Sequence, residues 1–78
     1  MINVFEINGG NKPLKVKRID VNGHPVYQIT FYDGTRPLVL TQTIAADGKS
    51  FWTSVPEGRQ KIAEVVGELI DEYYRQNP

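Results

Sequence analysis

Trp52 is the single tryptophan of this chain, and with His24, Lys15 and Lys17 it supplies the side chains best suited to recognition chemistry. An indole stacks on flat ligands such as bases, and lysines beside it can pair with phosphate. For catalysis the set is thin. His24 is the only histidine, there is no cysteine, and Ser50 and Ser54 lie beside a turn and at an expected helix start. Asp71 and Glu72 are adjacent acids on an expected solvated helix face. The glycines follow no phosphate-loop pattern, and no group of side chains has metal-ligand spacing. The expectation is a chain that is not an enzyme, with no cofactor, no metal and no evident small-molecule substrate.

Composition sets the scale of what must position those residues. The 78 residues are 40% hydrophobic and 23% charged, with nine basic and nine acidic side chains and no net charge. That describes one small globular domain over residues 1–78, whose stability must come from a single compact core. Zero net charge argues against a protein devoted to neutralising phosphates, although "KPLKVKR" is locally basic and the C-terminal stretch is acidic. Without cysteine there is no disulfide framework, and the expected compartment is the cytoplasm. No apolar run approaches the roughly 20 residues of a membrane span. "MINVFEINGG" lacks the basic-then-apolar order of a signal peptide, so export is not expected.

Three pairs, Asn22-Gly23, Asp33-Gly34 and Asp47-Gly48, separate segments rich in β-branched and aromatic residues. Such pairs accept the positive φ of tight hairpin turns, so the chain reads as an antiparallel meander. Strands are expected near Leu14 to Val21, His24 to Tyr32, Arg36 to Ala45 and Lys49 to Ser54. A further one near Ile2 to Ile7 precedes the break "NGGNKP". After Ser54 the apolar period becomes helical through Ile62, Val66, Leu69 and Tyr73, flanked by Val65 and Ile70, giving one amphipathic helix over roughly Pro56 to Arg75. Ser54 with Glu57 fits a capping box, Pro56 suits a first turn, and Val55 is an alternative cap. Ala63 and Gly67 form a small-residue strip beside the main stripe, where close approach to the sheet would compensate the cost of a helical glycine. Arg59 is placed on the inward flank near the helix start. The expected fold is α+β: a curled antiparallel meander of four to five strands with one C-terminal helix packed on one face.

Two-residue turns also act as rulers, because they fix which residues face each other while side chains alternate between faces. One face collects Leu14, Val16, Tyr27, Ile29, Phe31, Leu38, Leu40, Ile44, Phe51 and Val55, with Arg18, Arg36 and Gln42 as its polar weak points. The opposite face collects Lys15, Lys17, Ile19, Val21, His24, Val26, Thr43 and Trp52, with Val21, His24, Thr43 and Trp52 in one row. This second face is the candidate interaction surface. Three uses compete for it: a second small core covered by the N-terminal segment or a loop, self-association or binding of a protein partner, and binding of single-stranded nucleic acid. A sheet of this kind followed by one helix is similar in arrangement to the positive-cofactor-4 and Pur-type single-strand-binding families. "TSVPEGRQKIAEVVGELI" resembles their strand-to-helix junction in general outline, over about the last two thirds of the chain, while their net basic charge is missing here. The leading expectation is a binding module that self-associates or takes a protein partner, with single-stranded nucleic acid as the alternative.

Overall fold

In the computed structural model, which describes residues 3–10 and 12–77, five strands lie in the order of the chain and one helix follows. They are β1 (Asn3–Gly9), β2 (Lys12–Val21), β3 (His24–Phe31), β4 (Leu38–Ile44), β5 (Ser50–Ser54) and α1 (Gln60–Gln76). Every neighbouring pair is antiparallel. The N-terminal segment does join the sheet, as β1, although Ile2 lies outside the described residues. Among the described residues no helix is long and apolar enough to cross a membrane.

The first turn sets the register as its chemistry requires. Asn22 and Gly23 have φ of 53° and 82°, and they close Val21 onto His24. Val16 then faces Ile29 and Leu14 faces Phe31, as the two-residue ruler demands. The second connection is wider than expected, running from Tyr32 to Pro37, because Asp33 folds back locally. Its Oδ1 accepts from the Thr35 N–H at 3.0 Å and from the Thr35 hydroxyl at 2.6 Å. Those two hydrogen bonds, with Lys12 at 3.2 Å, lower the Asp33 carboxyl to about 2. The register beyond it is nonetheless as expected, with Tyr27 facing Leu40 and Ile29 facing Leu38. That ladder is only three rungs long, and the next residue of β3 whose backbone turns toward β4 is Pro25, which has no N–H to donate. Thr41 Oγ1 donates to the Pro25 carbonyl instead, at 3.2 Å.

The third turn departs from the ruler by one residue. Ala45 N–H donates to the Lys49 carbonyl at 2.8 Å and Gly48 N–H to the Ala45 carbonyl at 2.9 Å, so three residues, not two, form the loop. Gly48 alone of them takes a positive φ, 85°. Odd loop length inverts parity. Gln42 therefore faces Trp52, Thr43 faces Phe51, and every side chain of β5 sits on the face opposite to expectation.

The core lies between the sheet and α1. Val16, Ile29, Leu38, Leu40 and Ile70 are fully buried, joined by Ile7, Leu14, Tyr27, Trp52, Ala63 and Val66. Each large aliphatic in that set contributes roughly 1.5–3 kcal/mol by leaving water. Ile44, Phe51 and Val55, expected in this core, are exposed. Phe51 and Val55 were moved by the parity change, and Ile44 lies on the helix side of β4 outside the buried cluster. The sheet is not strongly curled, contrary to expectation: β1–β2 and β2–β3 pair through seven and eight consecutive rungs with no bulge to bend them.

The helix starts later than its apolar period suggests. Residues 55–59 make the turn that lifts the chain from β5 onto the sheet face, with Gly58 at φ 129°. Ser54 does not cap the helix, alone or as a box with Glu57: the N-cap residue is Arg59, without a side-chain cap, and Ser54 Oγ holds the preceding turn, accepting from the Arg59 N–H at 3.1 Å and donating to the Pro56 carbonyl at 3.0 Å. No acid lies in the first helical turn. The buried helix positions are Ala63, Val66, Gly67 and Ile70, so the small-residue strip forms the centre of the contact, and Val65 is left 60% exposed.

Candidate interaction face

Trp52 is not on the open face. It is 6% exposed, beneath α1, with its Nε1–H donating to Asp71 Oδ2 at 3.0 Å and its ring meeting Tyr27 edge-on at 5.2 Å. The polar handle of a buried indole needs a partner, and Asp71 supplies it from the helix. The Gln60 side-chain amide donates to the Trp52 carbonyl at 2.7 Å, which ties the helix start to β5. Farther along the interface Phe5 stacks flat on Tyr73 at 4.0 Å, and Tyr74 meets Phe5, Tyr27 and Tyr73 edge-on. Burial first, and the neighbouring Tyr74 next, push the Tyr27 phenol up to about 12.

The other expected site residues do share the face turned away from the helix. Lys15, Lys17, Ile19 and Val21 alternate along β2, and His24 and Val26 face Val21 and Ile19 from β3. Val21 is 48% exposed, His24 and Lys15 are exposed, and Lys17, Ile19 and Val26 are half-buried. Thr41 and Thr43 continue the face on β4, opposite Thr53 and Phe51 on β5. Phe51, 40% exposed, thus takes the aromatic position expected of Trp52. The parity change that removes one aromatic from this face delivers its neighbour.

The face is divided by chemistry. Ile19, Val21, Val26 and Phe51 gather toward the Asn22-Gly23 end, and Val4 and Val55, both about half exposed, lie on the same side at β1 and just past β5. Toward the opposite end Lys15 faces Glu6 and Thr30 across the ladders, and Tyr32 donates to Glu6 Oε2 at 3.3 Å. Among the described residues no element packs over this face: α1 contacts β5, β1 and β4 from the core side. The reading in which the N-terminal segment covers the patch is overturned, since β1 lies beside β2 in the sheet.

The remaining polar features hold the fold together. Arg59 donates from Nη1 to the Pro37 carbonyl at 2.7 Å and from Nη2 to the Arg36 carbonyl at 3.1 Å, clamping the β3–β4 connection to the helix start. Its placement near that start was legible; its partners were not, because carbonyls of a distant loop leave no mark in the sequence. Arg18 reaches Asp20 at 3.4 Å with its terminal nitrogen, while its Nε stays buried without a hydrogen-bond partner. Arg36 and Gln42 are exposed. A groove of about 290 Å³ between α1 and the β1–β2 end is lined by Leu14, Phe31, Ile62, Val65 and Leu69, with the Lys12–Asp33 ion pair on its border. Its polar lining residues Lys12, Asp33 and Thr35 hydrogen-bond to one another and do not converge on the groove as groups that orient a small ligand would. Among the described residues no cluster of His, Asp and Glu could hold a metal ion. No family model, curated protein or solved structure matches this chain.

Proposed function

We propose that this chain is a non-enzymatic binding module whose open sheet face docks a protein partner, with Val21, Ile19 and Val26 as one apolar contact, Phe51 as a second beyond His24 and Thr43, and Lys15 and Lys17 as the polar border. The observation that carries the reading is the uncovered face itself: Phe51 and Val21 stand about half exposed on a side of the sheet where none of the described elements packs. Exposed apolar clusters with polar surroundings are what protein interfaces use. A second copy seated on the same face is the self-association form of this reading. For single-stranded nucleic acid the face retains Lys15, Lys17 and His24, but the indole that would stack a base lies under the helix.

Cross-linking followed by peptide mapping tests the proposal. A captured partner should cross-link to Lys15 and Lys17 and not to Lys61 of the helix. The double variant Val21→Ser, Phe51→Ser should lose it while its thermal unfolding stays near that of the parent. Capture unaffected by the double variant, or cross-links confined to Lys61, would overturn the reading. Salt-sensitive amide shifts at Lys15 and Lys17 with a single-stranded oligonucleotide would select the alternative.

A further inference from the structure

The two edges of the sheet are finished differently. Between β4 and β5 the hydrogen-bonded pairs include Val55 with Val39, at 2.9 Å, and Ala45 with Lys49, at 2.8 Å. Alternation along an antiparallel ladder then turns the backbone groups of Ser50, Trp52 and Ser54 outward along the free side of β5. That side is covered at its end beside the helix. Gln60 takes the Trp52 carbonyl, and the chain doubles back through residues 55–59 directly after Ser54, whose hydroxyl holds that turn.

At the other edge the same counting starts from the Asn22-Gly23 turn. A two-residue turn of positive φ closes on a hydrogen-bonded pair, here Val21 with His24, so the odd positions of β2 bond to β3. The even positions Leu14, Val16 and Arg18 bond to β1 through Ile7, Phe5 and Asn3. Val4, Glu6 and Asn8 are left with their N–H and C=O groups pointing away from the sheet. Among the described residues nothing in the chain bonds to them. Natural edge strands are guarded by lysine, proline, a bulge or a covering segment. β1 reads "NVFEING", with no lysine, no proline and one charge, and it pairs with β2 without a bulge.

We infer that β1 is a pairing edge and that its occupant is β1 of a second copy, joined antiparallel about a two-fold axis into one ten-stranded sheet. An antiparallel edge is its own complement under a two-fold axis, since the same row of donors and acceptors returns reversed. The chain carries no net charge to oppose the approach. Like charges directly opposite are unfavourable, which rejects the register centred on Glu6. Centring on Phe5 sets Glu6 against Val4 of the second copy and brings the two half-buried Phe5 rings together, each already stacked on its own Tyr73. A groove of about 250 Å³ beside this edge on the helix side is lined by Ile7, Leu69 and Tyr73 but also by the carboxylates of Glu6 and Glu72, so the pairing rests on the strand backbones and not on contact between helices. Centred on Phe5, the described part of the edge pairs over residues 3–7 of each copy, roughly 17 Å, so the dimer is weak, in the class of small transient interfaces. A two-fold axis perpendicular to the sheet leaves both helices on one side and both open faces on the other. The pairing is independent of what docks on those faces.

Sedimentation of the 78-residue chain over a concentration series, with amide exchange followed by NMR, tests the inference. A concentration-dependent dimer is expected, in which the Val4 and Glu6 amides exchange at least about tenfold more slowly than in the dilute monomer. Glu6→Pro should abolish it without lowering thermal stability, because the Glu6 N–H serves no rung within the chain; Val4→Lys is the second variant. A chain that stays monomeric throughout overturns the inference. So does a dimer whose Val4 and Glu6 amides gain no protection, or one lost with Phe51→Ser and retained with Glu6→Pro, which belongs to the open face.

Discussion

Gly67 of the helix and Trp52 of β5 approach so closely that a methyl group on Gly67 would overlap the carbons of the indole ring. This contact explains a glycine in the middle of a helix. It also shows why the helix rests on Ala63, Gly67 and Ile70, since a larger residue at position 67 would hold the helix off the tryptophan.

Gly67→Ala therefore has a sign that discriminates. On an unencumbered helix the change gains up to about 1 kcal/mol. Here overpacking, typically about 1–3 kcal/mol and set against the buried indole ring that Asp71 holds by a hydrogen bond, outweighs that gain. Chemical denaturation should show a net loss of stability near the upper part of that range. A stabilised variant would mean that the indole is not where the fold places it.

Trp52→Phe keeps most of the apolar contact and removes the hydrogen bond to Asp71. The carboxylate then loses its partner at a partly buried position, at a cost of about 1–3 kcal/mol. Adding Asp71→Leu should recover part of the loss, which a double-mutant cycle would measure as coupling. Trp52→Ala is no test of an interface, because truncating a buried aromatic costs about 3–5 kcal/mol by itself.

Ser54→Ala removes the acceptor of the Arg59 N–H at a position only 2% exposed, and should cost about 1–2 kcal/mol in equilibrium unfolding. Glu57→Gln should be nearly silent, because Glu57 precedes the first helical turn and makes no cap to it. A large effect of Glu57→Gln would restore the capping box that the sequence suggested.

Tyr27 gives the fold an alkaline limit. Its phenol sits at about 12 in the folded chain against an ordinary 10, so the fold favours the protonated form. That contribution is complete below about pH 10 and is lost as the pH rises through 12, where the unfolded chain releases a proton that the folded chain retains. The melting temperature should fall across this window, and an ultraviolet titration should show one phenol ionising near 12 that Tyr27→Phe removes. Ionisation of Tyr27 at its ordinary value would contradict the packing around it.

Much of the architecture is legible because it follows from short-range rules. Asn22-Gly23 fixes the β2–β3 register by backbone conformation alone, and the order of strands follows from connections too short to cross. The placement of Ile19, Val21, His24, Val26, Lys15 and Lys17 on one face follows from that turn and from side-chain alternation. Asp47-Gly48 is different. The same dipeptide suits a two-residue turn, with both residues at positive φ, and a three-residue turn, with only the glycine there. The two choices exchange the faces of β5.

The amino-acid sequence by itself determined the meander, the C-terminal helix and the polar and aliphatic members of the open face, since each rests on preferences that act within a few neighbouring residues. Which of two adjacent aromatics is buried was decided only by the tertiary structure. Trp52 goes inward because Gly67 leaves room for its ring and Asp71 accepts its N–H, both from a helix that meets β5 only once the chain has folded. Phe51 is turned outward by the same register. The open edge of β1 is likewise a property of the assembled sheet, because a strand is an edge only when no other strand lies beyond it.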